Sequence, residues 1–243
     1  MRSFDHGDLA ATWKSIAKNL DAQIFVSTWD YRGLWRGTNE RGLPPTHNAT
    51  VLHNAEDKID PELIMARYDI ERKHIVQDAY DDHKDRFIED TTPAYNWRDA
   101  LGHGYGLYRP RAYYSQYFRK YRGITHIKKF GDYDRFVISR PDIEVTGFSS
   151  DSFDNHDEHY AFYIDHASTA KGWWIQDLIF VADKKGASAV AEQPYTRWNE
   201  IMKRAQDDNT PGIFFEVHGT LKWLLVDNDI QMITYPFNTR IQR

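Results

Sequence analysis

An apolar run, Phe136-Val137-Ile138, is followed at once by Ser139-Arg140-Pro141-Asp142. The run has the composition of a strand buried in a parallel sheet. Proline cannot donate to a sheet ladder, so the strand ends or reaches an edge here. It delivers an arginine and an aspartate together at its carboxyl end, where ligands sit in open α/β folds. A carboxylate there can hold a hard cation such as Mg2+ or Mn2+, which in turn can neutralise a diphosphate. A guanidinium beside it offers planar, two-pronged recognition of phosphate or carboxylate. The same two residues would equally well close a turn as an Arg–Asp ion pair.

Other stretches carry reactive side chains with less specific spacing. His103-Gly104-Tyr105-Gly106 precedes a helix bearing Arg109 and Arg111, and amides at a helix start can cradle phosphate. The spacing fits neither the dinucleotide-binding nor the Walker A pattern, which favours a flexible turn. Asp154-Asn155-His156-Asp157-Glu158-His159 gathers metal-ligand types without a zinc motif, as a solvated loop would. The tyrosines and arginines of 111–122 could stack bases, but helical periodicity and an acidic chain favour a partly buried helix. Glu216 and His218 lie on an apolar segment, where a raised carboxylate pKa suits a general base. A helix face reaching solvent explains them as well.

The elements that must position these residues follow from periodicity. Leu9, Trp13, Ile16 and Leu20 recur at helical spacing, with Asp8 as the cap. Residues 22–28 read as a short buried strand ending in Trp29-Asp30, and 31–54 as a long loop. Asp60-Pro61-Glu62 starts a helix that runs to about Tyr68. Residues 70–76 read as a strand, 78–90 as an acidic solvated surface, 91–110 as a second loop and 111–122 as an amphipathic helix, with a short helix leading up to Phe130. After the strand at 136–138 come an acidic loop (149–159), an apolar segment (173–182), a helix (196–206), a core helix (213–226) and a last strand (230–235). Strands alternate with helices and no linker divides the chain. The expected architecture is one α/β domain over 1–243, a mostly parallel sheet flanked by helices.

Composition narrows the function classes. The chain is 41% hydrophobic and 28% charged, a globular balance. A net charge of -5 argues against binding carried by nucleic-acid phosphates. The absence of cysteine excludes disulfides, thiol nucleophiles and cysteine metal sites. No apolar run approaches the ~20 residues that span a bilayer, and the first residues lack a signal-peptide core. These features lead to the expectation of a cytoplasmic protein without a transmembrane segment. An aromatic fraction of 15% hints at a ligand with flat faces, sugar or nucleotide, although rings also simply fill cores.

Several of these pieces stand in one order: Arg2-Ser3-Phe4, then Ile24 through Ser27-Thr28-Trp29-Asp30, then Tyr114-Ser115-Gln116-Tyr117, then Tyr133-Asp134 leading to Arg140-Pro141-Asp142. Gln176-Asp177-Leu178-Ile179-Phe180 and Phe215-Glu216 follow. In that order the chain resembles glycosyltransferase-like proteins of bacterial and viral lipopolysaccharide and capsule synthesis, which have a nucleotide-diphosphosugar (GT-A type) fold. The resemblance implies a metal-dependent transfer of sugar from a nucleotide-sugar donor to a glycan or a cell-surface or virion acceptor. Asp142 would hold Mn2+ or Mg2+ against the donor diphosphate, and Arg140 would neutralise phosphate or orient the sugar. Arg2, Trp29 and Asp30 would lie near the nucleotide, with Ser115 and Gln116 on a helix facing the donor. Asp177 or Glu216 would meet the acceptor, one of them as general base if the reaction inverts.

Proteins of this kind carry a hydrophobic strand immediately before the Arg-x-Phe segment, whereas this sequence opens at Met1-Arg2. The expected fold is therefore GT-A-like, either lacking its first strand or with that strand upstream of Met1. A non-catalytic carbohydrate-binding or assembly protein on the same fold is the alternative. A metal-dependent hydrolase using His156, Asp157 and His159 is a third reading.

Overall fold

Strand β1 (Val26–Trp29) and strand β2 (Ile75–Asp78) pair in parallel, Val26 opposite Ile75 and Trp29 opposite Asp78. In the computed structural model the described residues are 7–30, 58–102, 108–140, 143–146, 148, 159–163, 179–234 and 238–241. The side chains of a strand alternate between faces. Val26 and Ile75 accordingly pack with Ala10, Ile64 and Tyr68 on one face of the pair. Ser27 and Asp78 turn to the opposite face and are bonded there by Arg119.

The first face is covered by helices α1 (Gly7–Asn19) and α2 (Pro61–Tyr68). Asp60 caps α2 by accepting the Glu62 amide at 2.9 Å, with Pro61 in the first turn. Asp69 closes α2 in the left-handed region, at φ 56°. The expected cap Asp8 falls inside α1, which begins one residue earlier. A single turn of 3₁₀ helix, Arg72–His74, replaces the first part of the strand expected over 70–76.

The opposite face is covered by α4 (Pro110–Ile127), which pairs with α3 (Lys84–Ala100). The loop expected over 91–110 is corrected: α3 runs through Pro93 to Ala100. Phe87, Thr91, Ala94 and Arg98 form one buried stripe at helical spacing, and its burial outweighs the hydrogen bond that Pro93 removes. The acidic stretch is solvated at Asp81, Asp82, Asp85 and Glu89, but Asp78 and Asp90 turn inward onto partners.

A four-stranded sheet follows in the order β3-β6-β5-β7, from β3 (Arg135–Ser139), β5 (Tyr160–Tyr163), β6 (Ile179–Asp183) and β7 (Gln231–Thr234). β6 runs antiparallel to both neighbours, and β5 pairs with β7 in parallel. Strand β4 (Ile143–Thr146) pairs antiparallel with β8 (Asn238–Ile241), so the chain has a strand beyond the one expected to end it. The fold is α/β, but these pairings do not confirm a mostly parallel sheet. The strand at 136–138 is corrected too. Among the described residues β3 lies at an edge, antiparallel to β6, and only Phe136 of its side chains is buried.

Helices α5 (Lys184–Ala187), α6 (Gln193–Thr196) and α7 (Trp198–Asp207) lead into α8 (Pro211–Phe215) and α9 (Val217–Asp227), with a π-helical turn at Ser188–Glu192. The single helix expected over 213–226 is thus two, broken at Glu216. Phe214, Phe215, Leu221, Leu224 and Leu225 still fill the largest core cluster with Phe87, Tyr117, Phe180 and Trp198. Among the described residues no helix is long and apolar enough to cross a membrane. Arg2, the 31–54 loop, the 103–106 turn, Asp142, residues 151–158 and Asp177 lie outside the described residues.

The α8–α9 hairpin closes on a glycine. A Cβ at Gly219 would meet the Gly212 carbonyl oxygen well inside van der Waals range, and Thr220 Oγ1 donates to the Ile213 carbonyl at 2.6 Å beside it. Gly219→Ala should therefore destabilise the protein by about 1–3 kcal/mol, the cost of overpacking a rigid contact, in urea unfolding. Gly212→Ala, whose Cβ meets nothing within 4 Å, is the control and should cost less.

Candidate functional site

Tyr133, just ahead of β3, donates its hydroxyl to Gln23 Oε1, just ahead of β1, at 2.5 Å. Its ring lies 6.1 Å from that of Phe25. The two strands therefore start side by side. Both then line one cleft of about 930 Å³, β1 through Val26 and Ser27 and β3 through Phe136, Val137 and Ser139. Arg140, which follows β3, also lines the cleft. Cleft volumes that hold small ligands run from about 300 to 1,000 Å³.

Helix α4 runs against β1. His126 lies near Phe25, a Cβ at Gly123 would touch Ser27, and Phe118 stacks on Trp29 at 5.6 Å. Ser115 and Gln116 stand one turn before Phe118 and Arg119, beyond the carboxyl end of β1. Ser115 is four residues before Arg119 and shares its helix face. Trp29, Asp30, Ser115 and Gln116 thus stand toward the carboxyl end of β1, and Arg140 lies on the cleft. Only Arg140 of these lines the cleft itself.

Trp29 and Asp30 have internal partners. The Trp29 ring carries the Arg119 guanidinium 4.8 Å from its centroid and meets the rings of Tyr80 and Phe87 at 5.2 and 5.8 Å. Asp30 accepts the Tyr80 amide on Oδ1 at 3.0 Å, and its backbone bonds Asp78 and Ile59. These two residues hold the carboxyl end of the parallel pair together.

The polar centre of this region escaped sequence reasoning. Asp78 accepts from Arg122 at 2.9 and 3.1 Å and from Arg119, which also donates to Ser27 Oγ at 2.7 Å and the Val76 carbonyl at 2.9 Å. Burial alone would push the Asp78 carboxyl up, but the hydrogen bonds and charges of Arg122 and Arg119 together hold it below the usual carboxylate range. Burial lowers the Arg119 guanidinium to about 10, with Asp78 opposing, so it stays cationic at neutral pH. The available signal was the spacing of Arg119 and Arg122, one turn apart on an aromatic helix.

Glu216 lies elsewhere. It sits at the break between α8 and α9 and accepts the Tyr108 hydroxyl at 2.7 Å, outside the cleft lining. His159 bonds Asp183 Oδ2 through Nδ1 at 2.6 Å on the surface. Among the described residues no three of His, Cys, Asp and Glu gather as a cation would need. The described wall of the cleft offers Asp21 and Asp134, which on their own do not make a set for a hard cation.

Removing the Asp78 charge leaves two guanidiniums without their counter-ion. Asp78→Asn should cost about 3 kcal/mol, as expected when one partner of a buried pair is removed. A depressed folded-state pKa contributes stability above the unfolded value, about 3.9, that is lost as pH falls through the folded value. The wild-type protein's advantage over Asp78→Asn should therefore be intact at pH 6 and shrink once unfolding is measured below about pH 4. No family model matches the chain, and no curated protein or solved structure matches it either.

Proposed function

We propose that the protein is a glycosyltransferase that moves a sugar from a nucleotide-sugar donor to a glycan or a cell-surface or virion acceptor, on a GT-A-like scaffold. The observation that carries the reading is a cleft of ligand size between β1 and β3 with Arg140 on its wall. In α/β folds nucleotides bind beyond the carboxyl ends of parallel strands, where Trp29 and Asp30 end the β1–β2 pair. The order of short motifs in the sequence supports the same reading.

In this reaction the acceptor oxygen bonds to the anomeric carbon as the bond to the diphosphate breaks. The nucleoside diphosphate leaves with the electron pair, and the acceptor proton passes to a base. Arg140 pairs with the leaving diphosphate, where a planar guanidinium meets two oxygens at once. Asp142 is the proposed contact for Mn2+ or Mg2+, an ion that would offset the charge of the leaving group. Asp177 is the carboxylate proposed to receive the proton; Glu216, which accepts the Tyr108 hydroxyl outside the cleft lining, is not placed to do so.

The test is donor binding and hydrolysis across UDP-, GDP-, CMP- and dTDP-sugars, with Mn2+ and with EDTA, for wild type, Asp142→Asn and Arg140→Ala. The expected result is metal-dependent release of one nucleotide, abolished in Asp142→Asn and at least tenfold slower in Arg140→Ala. Silence across the panel from a folded protein overturns the reading, and glycan binding that ignores metal replaces it with a binding protein.

A further inference from the structure

Helices α1 and α2 meet on one wall of the cleft, through Trp13 and Tyr68. Tyr68 is only 6% exposed. Burial raises its phenol to about 12, with the Arg67 charge opposing and no hydrogen bond contributing, so the hydroxyl keeps its proton at neutral pH. The Trp13 indole Nε1 is buried without a hydrogen-bond partner among the described residues. Leaving a buried donor unmet costs about 1–3 kcal/mol, and proteins leave few. Two proton donors thus stand on a cleft of ligand size with no acceptor supplied to them by the described residues. The surroundings are apolar: Ile16 and Leu20 of α1, Val26 of β1, Phe136 and Val137 of β3 and Val181 of β6 all line the same space. A second opening of about 410 Å³ also reaches Tyr68, and Lys14 and Lys18 line it. Asp69 and Glu71 line it too, but Glu71 is paired with Lys73 at 3.0 Å. On the main wall Asp21 and Asp134 are matched in number by Arg135 and Arg140. With Arg67 next to it, the Tyr68 hydroxyl therefore stands in a field that favours an anion.

We infer that the cleft binds a linear monocarboxylic acid, its hydrocarbon chain against the apolar walls from α1, β3 and β6 and its carboxylate on the Tyr68 hydroxyl and the Trp13 indole. Nε1 is shielded as the ring now lies, and its unmet bond is the driving force for turning the N–H to an acceptor that enters the cleft. A mostly apolar pocket with a few placed polar groups is the usual form of a small-molecule site. Hydrogen bonds to an ionised acceptor are about twice as strong as those to a neutral one, so the acid is held in preference to its ester. The inference does not rest on sugar transfer, in which neither Trp13 nor Tyr68 has a part. An acid in the cleft would occupy space that the nucleotide-sugar needs.

The experiment titrates the isotope-labelled full-length protein with dodecanoate, its methyl ester and dodecyltrimethylammonium, each below its micelle concentration, and reads the tryptophan indole N–H signals by NMR. Trp13→Phe assigns the Trp13 signal. Dodecanoate should bind saturably and move that signal downfield. The ester should bind about tenfold more weakly, and the ammonium, which has no acceptor, should leave the signal in place. Tyr68→Phe keeps the ring and removes the hydroxyl, and should weaken dodecanoate about tenfold, the worth of one hydrogen bond to a charged group. A Trp13 signal that stays in place at saturation overturns the inference, as does an ester or ammonium that binds as tightly as the acid. Unchanged binding by Tyr68→Phe overturns it too. A nucleotide-sugar that moves the Trp13 signal where dodecanoate does not assigns both donors to the sugar donor instead. Should Tyr68→Phe not fold, the wild-type comparison of acid with ester decides.

Discussion

Asp78 ends β2 and is gripped by two guanidiniums from one face of α4, and that contact fixes how the helix crosses the parallel pair. Its net contribution to stability need not be large. Taking these charges out of water costs several kcal/mol for each ion, and pairing does little more than offset it. What the contact supplies is register. Arg119 reads both strands at once, through Ser27 of β1 and through Val76 and Asp78 of β2. A shift of α4 by one residue turns its face by about 100° and breaks all of these bonds together.

Much else is set by that register. With Arg119 fixed, Phe118 falls on Trp29 and brings in His83 and Phe87, so the aromatic cluster forms at the carboxyl end of β1. At the other end α4 sets Ile127 beside the cleft and hands the chain to Tyr133, which meets Gln23. The start of β3 is therefore tied to the start of β1.

Local signals were legible where a single element decides its own structure. Asp60-Pro61 and the spacing of Leu9, Trp13, Ile16 and Leu20 specify caps and an apolar face without reference to the rest of the chain. The α3 error shows the opposite case. Pro93 breaks a helix by local rules, and only the burial of Phe87, Thr91, Ala94 and Arg98 against α4 explains why the helix continues. Strand direction was illegible for a related reason. An apolar run suits a core strand of either sense, and β3 was separated from β6 only by which partner it found. Of the candidate site, Arg140 was legible from its position after an apolar run. Asp78 was not, because its partners are 41 and 44 residues away.

The exchange of roles between β3 and β6 bears on chemistry. β6 holds the middle of the sheet, with Ile179, Phe180, Val181 and Ala182 all buried. A charged residue within such a strand would carry a heavy desolvation cost, and the one that ends it, Asp183, is half-buried and bonded by His159 and the Gly186 amide. β3 buries only Phe136, and its far end reaches Ser139 and Arg140 half-exposed on the cleft. An edge strand can therefore present a guanidinium to an anionic ligand while keeping it partly hydrated. β3, which contributes little to the core, is physically suited to deliver charge, while β6 fills the core with its apolar residues.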